Sequence, residues 1–361
     1  MKIEIRLPTR APVANLQDAG STSRLHSVAS RLQLQEVPAL ARELEAAGFD
    51  GLVSNEMKDD PFLPLALAAQ ATERVTLTTA VAIAFPRSPM ATAQAAWALQ
   101  QLSRGRFVLG LGTQVKAHNE RRYSTPWTAP GPRLREYVQA LRAIWNTWQT
   151  GAPLDFRGRF YTFTLMPPAF NAGPIEHPHI PVHIAAVNLY NCRTAGEVGD
   201  GLRPHSVATP RYIREVMLPA VHEGARRAGR SPEAIEVCVA PLVATAEDEA
   251  GLEGQVEAVR RRLAFYASTR SYRPMFDIHG WGHIVDALHP LSVQGRWSEM
   301  PRWISDEMVE TMAIVATYDR LANKLKERFG GLAARVLVDL PDYDTGDRSR
   351  LNEVAMALRR H

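Results

Sequence analysis

The amino-acid sequence predicts an α/β fold, a (β/α)8 TIM barrel with insertions, formed by residues 1–361 as one domain. The first observation is the stretch 99–114, LQQLSRGRFVLGLGTQ, which combines a helix end, a break at Arg104-Gly105 and a strand that is apolar on both faces. Such a strand is covered on both sides, as in a parallel sheet. The second observation is that eight strand candidates alternate with helical patterns. Eight parallel units of this kind close naturally into a barrel.

The first part of the chain contains four of the strand candidates. Asp60-Pro61 and Ser88-Pro89 each place a capping side chain before a proline, which is a start signal for a helix. Gly48 follows the first helical pattern as its C-cap. The predicted strands are 1–7, 51–54, 74–84 and 107–111, and the predicted helices are 36–47, 61–71 and 88–102. Residues 8–33 lack periodicity and form the first predicted insertion, an extended loop.

The second part of the chain begins with a long polar and aromatic loop at 115–131. A helix follows, with Leu134, Val138, Leu141 and Trp145 on one face. The later predicted strands are 181–186, 201–204, 235–245 and 335–340, and the helices are 189–198, 211–228, 246–267, 319–329 and 348–360. Two further insertions interrupt the rhythm: an irregular or hairpin segment at 151–178 and a Gly-, Pro-, Trp- and His-rich segment at 268–306.

Composition excludes several functional classes. The 42 basic and 38 acidic residues are interspersed and form no basic stripe, so nucleic-acid binding is not expected. The amino terminus lacks an apolar signal core and no segment approaches the length of a membrane span, so the expected location is the cytoplasm, without a membrane partner. Cys192 and Cys238 are far apart and lack paired spacing, which predicts two small thiols that are buried or part-buried.

The residues with candidate chemistry follow the predicted strands, because the active site of a barrel lies at the carboxyl ends of its strands. These positions contain no nucleophile elbow, and the chain contains no P-loop or GxGxxG motif. The histidines of 177–183 suggest either a metal cluster or a proline-braced strand entry; the two prolines and the lack of nearby acidic or thiolate groups favour the second, and no metal is expected.

Several motifs together resemble the bacterial luciferase-like superfamily, and within it the branch of coenzyme F420-dependent oxidoreductases. They are AAGFDG at 46–51, DPF at 60–62, ERVTL at 73–77 and LSRGRFVLGLG at 102–112, with similar segments at 137–145, 156–161, 195–198 and 279–282. The resemblance spans nearly the whole chain except 8–33. It implies a single luciferase-like barrel domain, often dimeric, with a flavin or deazaflavin at the carboxyl-end rim.

The resemblance also implies which residues contact the cofactor. A non-proline cis peptide after the third strand supports the ring in this family, and it aligns with Ala80-Val81. Small side chains there suit close approach to a planar ring, although an ordinary buried strand has the same pattern. The cofactor-binding candidates are Ala80, Val81 and Ala82 by this alignment. Thr113, Gln114, Val187, Asn188 and His205 are added because they directly follow predicted strands.

Two residues are catalytic candidates by the same alignment. Glu56 stands where relatives carry a polar catalytic or ring-contacting side chain, often His. It either orients a substrate hydroxyl or acts as a base, or it is a solvated rim residue or forms a salt bridge to Lys58. Related sugar-phosphate dehydrogenases have a glutamate proton donor after the fourth strand, but this chain has Gln114-Val115-Lys116, which leaves His118 as the substitute.

The expected function is hydride transfer between coenzyme F420 and a small organic alcohol, carbonyl or enone. The alternatives are a two-component FMN-dependent monooxygenase, which needs a flavin reductase as partner, and a non-catalytic flavin-binding protein. A homodimer is expected from the family.

Many relatives have phosphate-binding glycines after the fifth strand, whereas this chain has Ala186-Val187-Asn188-Leu189, so phosphate contact depends on Asn188, Asn191 or other amides.

Overall fold

The computed structural model describes residues 1–7, 33–340, 353 and 355–357. The predicted loop at 8–33 lies outside this range except for residue 33. The predicted last helix at 348–360 is described at only four residues, all of them helical.

Eight parallel strands form a closed barrel. They are β1 (Lys2–Arg6), β2 (Gly51–Ser54), β3 (Thr76–Thr79), β4 (Phe107–Gly112), β5 (Val182–Ala186), β6 (Gly201–Pro204), β7 (Glu236–Val239) and β8 (Arg335–Val338). Each strand pairs with its neighbours in chain order, and β1 pairs with β8 to close the ring. The predicted (β/α)8 TIM barrel is therefore confirmed.

Helices cover the outside of the barrel. They are α1 (Val37–Ala47), α2 (Phe62–Ala71), α3 (Pro89–Leu102), α4 (Lys116–Arg121), α5 (Pro130–Thr150), α6 (Leu189–Val198), α7 (Leu218–Arg227), α8 (Glu249–Ala267), α9 (Gly282–Val293), α10 (Asp306–Met312) and α11 (Tyr318–Phe329). The predicted capping signals operate as expected: Gly48 has φ 102° after α1, and the Ser88 side chain accepts a hydrogen bond from the Met90 amide at the start of α3.

Two predicted strands are each divided in the structure. The strand predicted at 74–84 ends at Thr79, and after the Ala80–Val81 cis peptide the chain resumes pairing as Ala82–Ile83 against the end of β4. The strand predicted at 235–245 ends before Pro241, which has no amide hydrogen to continue the ladder. The following segment, Leu242–Ala244, pairs instead with Ala313–Val315 outside the barrel.

Other differences concern the helices. The loop predicted at 115–131 contains α4, and α5 begins at Pro130. The helix predicted at 211–228 contains a π-helical turn, Ile213–Met217, before α7, and α8 begins at Glu249 rather than at 246. The segment 268–306 includes α9. This helix was not predicted, because the segment is rich in Gly and Pro. The hairpin expected within 151–178 is present as Phe156–Arg157 against Thr162–Phe163.

The interior of the barrel is polar toward the amino ends of the strands. Glu4 is fully buried and accepts hydrogen bonds from Arg203 at 3.0 Å and Arg335 at 3.5 Å. Arg335 also donates to Glu236 at 2.7 Å. The barrel core is therefore held partly by paired charges, which are stable in a dry interior only when each has its partner.

His183 and Cys238 complete this interior cluster. His183 Nδ1 lies 3.5 Å from the Cys238 sulfur and its Nε2 lies 3.7 Å from a Glu236 oxygen. Burial lowers the pKa of His183 well below its usual value, and Arg203 and Arg335 lower it further. Burial raises the pKa of Cys238 to about 12. Both cysteines are free and buried, in agreement with the prediction. The expectation that no acidic or thiolate group lies near the histidines of 177–183 is wrong for His183, which contacts Glu236 and Cys238 inside the barrel. The exposed His177 lies against Gly105.

Within the described residues, no helix is both long enough and apolar enough to cross a membrane.

Candidate active site

Glu56 lies at the carboxyl-end rim of the barrel and is held by three hydrogen bonds. Its Oε2 accepts hydrogen bonds from the Ile83 amide and from Arg87 Nη1, both at 2.7 Å, and its Oε1 accepts one from the Tyr123 hydroxyl at 3.1 Å. The side chain is only 6% exposed. Glu56 is thus a buried carboxylate with an arginine partner, and the interpretation as a solvated rim residue is wrong.

Arg87 connects the segment after β2 to the segment after β3. Besides Glu56, its guanidinium donates to Asp60 Oδ2 at 2.8 Å and to the Ile83 carbonyl at 3.3 Å, and it lies 5.6 Å from the centre of the Phe62 ring. Burial acts to lower the pKa of Arg87, but the Glu56 and Asp60 carboxylates outweigh it and raise that pKa. The cation therefore fixes two loops and keeps a compensating charge beside Glu56.

Tyr123 reaches Glu56 from the segment after α4. The buried Asn119 side chain anchors this segment by donating to the Thr113 carbonyl at 2.9 Å and to the Val115 carbonyl at 3.1 Å. Arg122 donates a hydrogen bond to the Met57 carbonyl and so joins the segment to the loop that carries Glu56. Burial raises the pKa of the Tyr123 phenol, and the charge of Glu56 raises it further. The phenol therefore keeps its proton at neutral pH.

His118, the second predicted catalytic residue, lies on α4 with its side chain exposed. In the described part of the chain it makes no hydrogen bond to Glu56, whose polar partners are Ile83, Arg87 and Tyr123. The helix that carries His118 thus lies near the site, but the His118 imidazole does not contact the Glu56 carboxylate. A catalytic role for His118 stays a prediction.

A cis peptide and two glycines shape the floor next to Glu56. The Ala80–Val81 bond is cis, as the alignment implied. A Cβ atom at Gly110 would stand 1.9 Å from the Thr79 carbonyl oxygen, and one at Gly112 would stand 2.7 Å from a Val81 methyl. Because only glycine leaves room there, the end of β4 packs directly against the cis segment. Ala80 and Val81 remain half-exposed, while Ala82 is buried.

Asn55 adds an unpaired acceptor to the same region. Asn55 directly follows β2, and Gly51 of that strand lies next to Glu4 in the barrel interior. It is buried, and its Oδ1 has no hydrogen-bond partner within the described structure. A buried acceptor of this kind requires a donor. Small residues beside a buried acceptor fit a planar ring with an N–H edge, such as a flavin or a deazaflavin.

The remaining predicted residues lie at neighbouring strand ends. Gln114 adopts a left-handed conformation with φ 56°, and its carbonyl accepts a hydrogen bond from the Thr113 hydroxyl. Asn188 is exposed and caps α6 by accepting from the Asn191 amide at 2.9 Å, next to the half-buried Val187. His205 stacks on Tyr272 with ring centres 4.3 Å apart and meets Tyr266 edge-on. These residues thus lie at different positions around the rim, and their roles in cofactor binding stay predictions.

Sequence reasoning missed Arg87, Tyr123 and an ion pair between Arg6 and Asp339 at the ends of β1 and β8. Arg87 had a detectable signal, because it directly precedes the Ser88-Pro89 helix start after the third strand. Tyr123 had none, since nothing in the local pattern of 115–131 indicates that its hydroxyl meets Glu56.

Comparisons with known proteins agree with this architecture. The chain matches the family model described as luciferase-like monooxygenase over residues 1–335. An uncharacterized protein of Mycobacterium tuberculosis is 43% identical over 328 residues, which are 91% of this chain and 96% of the relative. F420-dependent glucose-6-phosphate dehydrogenase 2 of Rhodococcus jostii is 30% identical over 298 residues, 77% of this chain and 80% of the relative.

Among solved structures, the coenzyme F420-dependent tetrahydromethanopterin reductase of Methanopyrus kandleri superposes with a TM-score of 0.72 at 20% identity. The match covers 90% of this chain and 94% of that one. The fold and the match over nearly the full length of the chain lead to one conclusion: this protein belongs to the luciferase-like monooxygenase family.

Proposed function

We propose that this protein is an oxidoreductase that transfers a hydride between coenzyme F420 and a small organic alcohol, carbonyl or enone. The observation that carries the proposal is the buried Glu56 carboxylate at the carboxyl ends of the strands, which accepts a hydrogen bond from the Ile83 amide of the segment after β3. A fixed carboxylate supplies proton transfer, and the cofactor supplies hydride transfer when bound. The relatives named as F420-dependent enzymes support the same choice.

The residues proposed to hold the cofactor surround the floor of the site. Ala80, Val81 and Ala82 offer small side chains to a planar ring, and Asn55 offers its unpaired acceptor to a ring N–H. The other proposed contacts around the rim are Thr113, Gln114, Val187, Asn188 and His205. The exposed start of α6 beside Asn188 provides backbone amides for a phosphate group.

Cofactor binding tests this proposal directly. We expect purified protein to bind F420 saturably, followed by fluorescence, and reduced F420 to be oxidised by at least one member of a panel of aldehydes, ketones and enones. FMN is titrated in parallel with the same protein. Binding of FMN without binding of F420 would contradict the proposal.

Two other functions make different predictions for this experiment. A two-component FMN-dependent monooxygenase, in line with the description of the family model, binds reduced FMN from a partner flavin reductase and consumes oxygen. A non-catalytic flavin-binding protein binds cofactor without oxidising or reducing any member of the panel. Oxygen consumption and F420 oxidation, measured on the same preparation, separate all three.

We also infer that the protein forms a homodimer through α2 and α3. These adjacent helices, of 10 and 14 residues, contain no Asp, Glu, Lys or Arg, and they leave Leu63 55% exposed and Leu102 40% exposed. An uncharged outer face in a chain with 22% charged residues is typical of a protein interface.

Light scattering during size-exclusion chromatography tests the dimer. We expect about twice the 40.0 kDa mass of one chain for the natural sequence, and about one chain mass for Leu63→Glu. Leu165→Glu serves as a control, because Leu165 is exposed outside these helices. A natural protein that elutes as a monomer, or a Leu63→Glu variant that remains dimeric, would refute this interface.

A further inference from the structure

The hydrogen bonds around Glu56 restrict how this carboxylate exchanges a proton. Oε2 already accepts hydrogen bonds from the Ile83 amide and from Arg87, and the side chain is only 6% exposed. Neither of those donors releases a proton at neutral pH, because one is a backbone amide and the other a guanidinium. Any proton transfer through Oε2 would also break a charge-assisted bond.

The third donor is different. The Tyr123 hydroxyl donates to Oε1 at 3.1 Å, and the tyrosine is only half-buried at the rim. A phenol oxygen donates one hydrogen bond and still accepts another, so it connects a group on its open side to a group behind it. Tyr123 is therefore the one member of this cluster that combines an exchangeable proton with partial exposure.

We propose that Tyr123 relays a proton between the oxygen of the substrate and the Glu56 carboxylate. This inference rests on the proposed function and adds the route of the proton to it. The hydroxyl, and not the carboxylate, contacts the substrate oxygen, which favours substrates with an alcohol or carbonyl group.

The relay moves two protons in the same direction while the substrate is oxidised. In alcohol oxidation the substrate O–H bond breaks and its proton moves to the Tyr123 oxygen, while the phenolic proton moves to Glu56 Oε1. The C–H bond of the carbinol carbon would break with its electron pair as the C=O bond forms, and oxidised F420, when bound, would supply the acceptor for that hydride. After the product leaves, the proton on Glu56 Oε1 returns through the Tyr123 hydroxyl to solvent, because Tyr123 is the half-buried member of the cluster. Carbonyl reduction by reduced F420 follows the reverse path.

Arg87 and Asp60 act as positioning residues for this relay. Arg87 keeps a positive charge 2.7 Å from Glu56 Oε2, and Asp60 holds the other arm of the same guanidinium at 2.8 Å. Arg122, through the Met57 carbonyl, holds the segment of Tyr123 against the loop of Glu56. Both ends of the relay are therefore attached to the same loop, and their separation is fixed.

Tyr123→Phe tests the relay in the enzyme with F420 bound. We expect kcat to fall about 10²- to 10⁴-fold, the range contributed by positioned acid–base groups, while the Kd for F420 changes less than about 2-fold. Glu56→Gln should show a similar fall. Tyr161→Phe is the matched control, because its hydroxyl also bonds a charged residue, Arg133, away from Glu56. We expect the control to retain kcat.

A measurement without cofactor tests the same contact. In protein labelled with 13C at the phenol carbon of tyrosine, the NMR signal lost in Tyr123→Phe identifies Tyr123. Its titration midpoint should fall in Glu56→Gln, because the negative charge that opposes phenolate formation is gone. The titration of Tyr161 should stay unchanged in that variant.

The outcomes separate the relay from the proposed function. If the natural protein neither binds F420 nor turns over any substrate of the panel, both the function and the relay are overturned. If it turns over substrate but Tyr123→Phe retains kcat within about 3-fold, or if the Tyr123 midpoint does not respond to Glu56→Gln, the relay alone is overturned. A fall in kcat confined to the relay variants, together with the shifted midpoint, supports it.

Discussion

Arg203→Met is expected to lower the free energy of unfolding by about 3–5 kcal/mol, the cost of removing one partner from a buried ion pair. The side chains of Arg203 and Glu4 are 7% and 0% exposed, and Arg203 Nη2 donates to both carboxylate oxygens. Methionine fills a similar volume but leaves Glu4 with Arg335 at 3.5 Å as its remaining charged partner. Guanidinium chloride unfolding followed by circular dichroism measures the loss.

Arg193→Met provides the control for this stability experiment. Arg193 pairs with Glu223 at 2.6 Å, but both side chains are about one-third exposed, so water replaces the lost partner. We expect its cost to stay below about 1 kcal/mol. Adding Glu4→Gln to Arg203→Met should recover part of the lost stability, since the uncompensated charge disappears. An Arg203→Met variant as stable as the Arg193→Met variant would contradict the importance of the interior charges.

Arg87→Met is expected to reduce kcat by about 100-fold or more. It should also destabilise the protein by about 1–3 kcal/mol, which is the cost of losing hydrogen bonds to charged groups. Glu56 and Asp60 lose a common partner, and the Ile83 carbonyl loses a donor, although the Ile83 amide keeps its hydrogen bond to Glu56. Arg87→Lys should recover only part of the activity, because one ammonium cannot reproduce the two-armed guanidinium contact. Steady-state kinetics and thermal unfolding of both variants measure these effects.

Arg230→Met is a matched control for Arg87→Met. Arg230 is similarly exposed, 27% against 23%, and it also pairs with an aspartate, Asp200, and with two backbone carbonyls. It lies near the amino end of β6, away from Glu56. We therefore expect a comparable loss of stability with kcat retained. Equal losses of kcat in the two variants would show that Arg87 acts only through stability.

The sequence predicted the barrel well because its signals are local. Periodic apolar residues, Ser88-Pro89 and Gly48 each specify a helix or its end from a few neighbouring residues, and these boundaries agree with the structure within one or two residues. The predictions failed where distant segments compete for pairing. Leu242–Ala244 looks like a continuation of β7, but it pairs with Ala313–Val315, and a single segment does not reveal its partner.

The site shows the same division. The sequence and its family resemblance identified Glu56 and the cis peptide at Ala80–Val81, because both follow strands in a recognisable pattern. The sequence alone leaves the role of Glu56 open, since its local neighbours do not indicate burial. The structure decided that Glu56 is buried and that Arg87 and Tyr123, 31 and 67 residues away, hold it.

By itself, therefore, the sequence determined the order of strands and helices, the closed parallel barrel and the end of it that carries the candidate site. Only the tertiary structure decided which side chains meet there and which charges pair inside the barrel, such as Glu4 with Arg203. The physical reason is range: helix and strand patterns depend on residues within one or two turns, whereas hydrogen bonds and ion pairs of buried charges depend on distances across the closed barrel.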